Sequence, residues 1–114
     1  MDELLHQIVG EQLSAITFLT DYYQFQFDGP TFNILTPVTV ISEAGRVRSG
    51  DDQFRNLVCG QIGKVVRVAE VRECEAIALS FEDGSQLLFS LAESDYPGPE
   101  AVIFTGHGGQ WAVL

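Results

Sequence analysis

The chain has 114 residues, 46% of them hydrophobic, and its sixteen acidic against six basic side chains leave a net charge of −10. A chain of this length forms one domain and buries about two-thirds of its unfolded surface without metals or staples, and its apolar fraction excludes intrinsic disorder. The acidity excludes nucleic acid and anionic membranes as partners, because both are bound by clustered Lys and Arg.

In chain order, Met1-Asp2-Glu3 opens with acid where an export signal carries Lys or Arg, and His6, Gln7 and Gly10 break the apolar run that follows. Apolar residues at steps of three and four between Asp2 and Gly10 predict a short amphipathic helix, acidic at its positive dipole end and stopped by Gly. Tyr23, Phe25 and Phe27 then alternate with Gln24 and Gln26, the period of a strand with one buried face. Asp28-Gly29 supplies the positive φ of a tight hairpin, and strands resume at Phe32 and Ile34 and, after Pro37, at Val38–Ile41. The alternation sends one of Tyr22 and Tyr23 outward beside the glutamines, an exposed aromatic that suits an interface, including that of a homodimer, or ordinary surface.

The second half follows the same order. Residues 52–62 lie over residues 2–12 at an offset of fifty, which predicts a second helix stopped by Gly60, with Ser49 as N-cap and Asp51 and Asp52 in its first turn. A longer first hairpin turns around Val71–Glu75, and Ile77, Leu79 and Phe81 alternate with Ala78 and Ser80 before Asp83-Gly84. Leu87, Phe89 and Leu91 follow, then Ala101–Phe104, which turns through Gly106-His107-Gly108-Gly109 into Trp111–Leu114. The expected fold is mainly β with minor helix: one domain, 1–114, of two helix-plus-hairpin repeats at about 2–45 and 52–114. Antiparallel strands then form a sandwich or a partly closed barrel with pseudo-twofold symmetry. No run approaches the roughly 20 apolar residues that span a bilayer.

The raw materials of catalysis are sparse. His6 and His107 lie a hundred residues apart, and neither cysteine has the spacing of a zinc site. Cys59 and Cys74 read as small buried residues kept reduced in a cytoplasm, with a disulfide as the alternative. No serine sits in a nucleophile elbow, and no helix pattern follows the Gly-rich turn to make a phosphate cradle. Adjacent acids such as Asp51-Asp52 and Glu82-Asp83 point to opposite faces of a strand. No catalytic residue, metal or cofactor is therefore expected.

Charge is distributed unevenly. All six basic residues fall between 46 and 72, so the acidic flanks lack any counter-charge. Ser94-Asp95-Tyr96-Pro97-Gly98-Pro99-Glu100 reads as a stiff loop, either a rigid connection with Tyr96 on the core or a partner contact. Gly50-Asp51-Asp52 leading to Leu57 and Gly60, Ala78–Ser85, Tyr96–Ala101 and Trp111 resemble a set of small uncharacterised bacterial proteins, over residues 50–114. Some similar domains act as immunity proteins for secreted toxins, so the resemblance implies binding and no catalytic residues. The leading expectation is a non-enzymatic cytoplasmic protein that binds a basic protein through Asp21, Glu82, Asp95 and Glu100, with Tyr22 and Tyr96 as aromatic anchors. The alternatives are a homo-oligomeric structural module and a small-ligand protein with a Phe-lined pocket between the repeats.

Overall fold

The computed structural model describes residues 1–114. Each half runs a helix and then five strands. The first half holds α1 (Asp2–Leu5), β1 (Ala15–Phe18), β2 (Tyr23–Gln26), β3 (Thr31–Ile34), β4 (Val38–Ser42) and β5 (Gly45–Arg48). The second holds α2 (Phe54–Cys59), β6 (Val66–Arg72), β7 (Ala76–Phe81), β8 (Gln86–Ser90), β9 (Val102–Thr105) and β10 (Trp111–Val113). Ten antiparallel strands make two sheets, β1-β2-β3-β9-β10 (sheet I) and β6-β7-β8-β4-β5 (sheet II). The fold is therefore a sandwich, and no barrel closes.

Each half keeps its first three strands in one sheet and sends its last two to the other. The crossing is marked by matched backbone bonds: Leu35 N–H donates to the Ala101 carbonyl, and Ser90 N–H to the Pro37 carbonyl, both at bends where one sheet hands the chain to the other. Between the halves, Gly10 N–H bonds the Val66 carbonyl and Gly63 N–H the Leu13 carbonyl, while Val66 N–H bonds Glu11 and Leu13 N–H bonds Lys64. These four bonds map onto one another when residues shift by 53 positions, and the Gln12–Val65 bridge lies at their centre. The equivalence is one of topology and hydrogen bonding.

The helix expectations need correction. An offset of 53 pairs Gly10 with Gly63, both at positive φ, whereas Gly60 is the C-cap of α2 as expected but keeps ordinary helical angles. The first helix tightens into a 3-10 turn at His6–Ile8. Ser49 caps no helix: Gln53 occupies the N-cap of α2 without a side-chain bond, and the Ser49 hydroxyl instead bonds the Val38 backbone, pinning β4 to the end of β5. The longer hairpin is present, since β6 and β7 run to seven and six residues where β1 and β2 have four.

Period-two alternation decides the interior. Phe25, Phe27, Phe32, Ile34 and Phe104 of sheet I face Val38, Val40, Leu79, Phe81 and Phe89 of sheet II in one cluster, closed at the ends by Leu5, Ile8, Phe54 and Val58. Phe89 joins the layers: its ring lies 4.9 Å from that of Phe25 and 5.3 Å from that of Phe32. Cys59 and Cys74 lie outside this cluster. Both are exposed and unpaired, because Cys59 occupies the solvent side of a six-residue helix and Cys74 a turn at φ 59°.

Candidate functional site

The six expected contact residues do not converge. Asp21 and Tyr22, on the β1–β2 loop, share a cavity of about 340 Å³ with Arg55 and Pro37. Glu100 immediately precedes the β9 side of sheet I, while Glu82 stands exposed on the β7–β8 turn of sheet II. Asp95 turns to the outer side of sheet II, where it accepts hydrogen bonds from Arg48 at 2.7 Å and Ser90 at 2.6 Å. The Ser90 hydroxyl and, behind it, the Arg48 charge hold the Asp95 carboxyl below its usual range. Tyr96 packs against the core and is half-buried, as a rigid connection requires. Neither Tyr22 nor Tyr23 is an exposed aromatic: Tyr22 is half-buried, and Tyr23 stacks on Phe18 and Phe54.

The cavity between the halves holds about 400 Å³ and is lined by Met1, Asp2, Val71, Glu73, Cys74, Leu91, Tyr96 and Leu114. No phenylalanine reaches it; Phe18 borders the cavity of the β1–β2 loop and Phe54 the one beside Asp51 and Asp52, so none of these cavities has the expected lining of several phenylalanines. His6 and His107 are both exposed and occupy different tasks. The His107 ring lies against Gly29, where a Cβ would come within 3.1 Å of it, and His107 N–H donates to Gln7 Oε1 at 2.7 Å. Gln7 Nε2 reaches Gln110 at 3.0 Å, so the 3-10 turn of the first half clasps both ends of the β9–β10 turn.

One polar cluster escaped the sequence reading. Lys64, the sole lysine, pairs with Asp83 at 2.7 Å, and the Ser85 hydroxyl lies 2.6 Å from Asp83, 2.8 Å from Gln61 and 3.2 Å from Lys64 Nζ. The Lys64 bond and then the Ser85 bonds hold the Asp83 carboxyl far below its ordinary range. A serine beside a lysine is one form of nucleophile and base. Here the lysine is committed to a carboxylate and the serine is buried, so the cluster serves as a clamp between α2 and the β7–β8 turn.

The outer faces of the sheets differ most. Across sheet I the register sets Thr17, Gln24, Asn33, Ile103 and Val113 in one row and Ala15, Gln26, Thr31, Thr105 and Trp111 in the next. None of these ten side chains is ionisable. Gln26 Nε2 donates to Gln24 Oε1 at 3.2 Å, and Gln24 Nε2 to Asn33 Oδ1 at 3.0 Å, so the amides are ordered before anything binds. Trp111 ends the face with 69% of its surface exposed. The loops at the ends of this sheet carry Asp21, Asp28 and Glu100 and no base.

On sheet II the corresponding rows are Arg48, Thr39, Leu88, Ala78 and Glu70, then Arg46, Ile41, Gln86, Ser80 and Val68, with Arg72 paired to Ala76 beyond. Small central residues, Ala76 and Ala78, lie under this fringe of charge, and Arg46, Arg48, Glu75 and Asp95 ring a cavity of about 410 Å³. Arg72 pairs with Glu70 at 2.9 Å. The neutral face could be found in the sequence only through the register, because its residues come from five strands of two halves.

No helix is long and apolar enough to cross a membrane. Comparison with protein-family models, with curated proteins and with solved structures finds no match.

Proposed function

We propose that this chain is a cytoplasmic binding protein without a catalytic centre, that it engages a basic protein, and that the contact is centred on the outer face of sheet I. The observation that carries this reading is the ten-residue face without charge on a chain of net charge −10, ending in an exposed tryptophan. Interface centres are depleted of charged groups and enriched in aromatic ones, because desolvating a charge costs more than a contact returns. Only Glu70, Asp83 and Asp95 among the sixteen carboxylates are ion-paired, which leaves a negative field to steer a basic partner.

On this reading Asp21, Tyr22 and Glu100, on loops at the ends of sheet I, are its nearest acidic and aromatic neighbours, and Glu82, Asp95 and Tyr96 play no part. The resemblance of residues 50–114 to small uncharacterised bacterial proteins, with similar domains among which some act as immunity proteins, supports an inhibitor of a toxin as the kind of binder. Two unpaired, exposed thiols fit a reducing compartment. The test is capture from lysate with the tagged protein and its Trp111→Ala variant, washed at rising salt. A basic protein held by the wild type, released by salt and missed by the variant is the expected result. Capture that Trp111→Ala leaves intact removes sheet I as the contact.

A further inference from the structure

Sheets must protect their edges, since an open edge strand offers backbone groups to any other strand. Two of the four edges here carry arginine. Arg46 and Arg48 lie on β5; Arg67 and Arg72 lie on β6, which is also bulged between Val66 and Val68. β1 has no charged residue of its own, but the Arg55 guanidinium of α2 covers its Phe18 ring, 5.5 Å from the centroid. The fourth edge, β10, has no charged residue, and the nearest ionisable side chain along the chain is His107.

The hydrogen-bond pattern shows what β10 leaves free. Gly106 N–H bonds the Gln110 carbonyl and Leu114 N–H the Val102 carbonyl, so alternation directs the even-numbered residues of β10 toward β9. The N–H and C=O groups of Trp111 and Val113 therefore point away from the sheet. We propose that β10 is a self-association edge, pairing antiparallel with β10 of a second copy about a twofold axis at Ala112. In that register Trp111 of each copy faces Val113 of the other, and two such pairs satisfy all four free backbone groups. Trp111 and Val113 are exposed on the same outer face, so each pair also makes an aromatic–β-branched cross-strand contact.

Self-complementarity is what selects a second copy over another strand: the same three residues supply both sides, as an isologous interface demands. Charge selects the same place, because two chains of −10 repel wherever acidic side chains meet and β10 has none. The dimer would continue sheet I into ten strands and leave most of its outer face open, but it shares Trp111 and Val113 with the partner face proposed above, so the response to salt is what separates the two. A three-residue strand makes a small contact, so the dimer dissociates on dilution.

Trp111 is the sole tryptophan and reports the edge directly. Sedimentation and tryptophan emission are followed together across a dilution series of the full chain at low and high salt. The expected mass is twice 12.5 kDa at high concentration, with emission shifted to the blue, both reverting on dilution. Salt strengthens the dimer by screening like charge, the reverse of its effect on a basic partner, so the two proposals fail separately. Val113→Lys should give a monomer with emission fixed at the exposed position. Trp111→Pro, which removes the indole and an outward N–H but no bond to β9, should also give a monomer by sedimentation. A mass of 12.5 kDa at every concentration and salt overturns the proposal, as does a dimer that both folded variants retain.

Discussion

Sheets I and II have the same strand topology and opposite exteriors. Sheet II places Arg46, Arg48, Glu70 and Arg72 on its outer face, while sheet I places none of its ionisable side chains there. The shared interior needs only alternation, so Phe32 on one sheet and Phe89 on the other serve it equally. The difference between the two sheets lies in the exterior. Sheet II presents a charged fringe, whereas the neutral amide-and-aromatic face of sheet I can be desolvated at low cost.

If the two sheets are one cooperative unit, the largest effect belongs to their joint. Phe89→Ala should cost about 3–5 kcal/mol and shift a single urea transition seen alike by fluorescence and circular dichroism. Separate transitions for the two probes would mean that the sheets unfold independently. A smaller loss, about 1–3 kcal/mol, is expected for Lys64→Met, which leaves the buried Ser85–Gln61 cluster without its cation; the urea midpoint measures it.

Acid sharpens the same point on sheet II. Asp83 and Asp95 resist protonation in the folded state, so the unfolded chain takes up protons first as pH falls. Their contribution to stability is full above about pH 4 and is lost as pH drops below that value. Acid titration of Asp83→Asn should show a shallower fall than the wild type, and an equally steep curve would mean that the clamp contributes nothing. Gln7→Ala is expected to cost about 1 kcal/mol and to act on sheet I alone. Amide exchange at the β9–β10 turn should quicken while β7 and β8 keep their protection.

The sequence made the interior legible and the exterior not. Asp28-Gly29 and Asp83-Gly84 fixed two hairpins, and alternation placed Phe25, Phe32, Leu79 and Phe89 inside, because both signals act within a few residues. The exchange of β4–β5 for β9–β10 between sheets depends on pairing across more than fifty residues, which no local pattern records. The same reason hid the neutral face, whose rows form only after β3 meets β9. Cys59 and Cys74 were misplaced because an apolar neighbourhood in sequence does not say which side of a short helix or turn faces water. Asp95 is expected from sequence to meet a basic partner, yet Ser90 and Arg48 of this chain engage it through contacts that span up to 47 residues.

The account stands or falls on the claim that sheet I, not sheet II, is the contact surface. Thr31 and Gln86 head the equivalent strands β3 and β8 and both point outward, so a lysine can be set at matched positions on the two faces. Binding of the captured partner is then compared for Thr31→Lys and Gln86→Lys. The account predicts that Thr31→Lys abolishes binding while Gln86→Lys leaves it near the wild-type value. Loss with Gln86→Lys and retention with Thr31→Lys would contradict it.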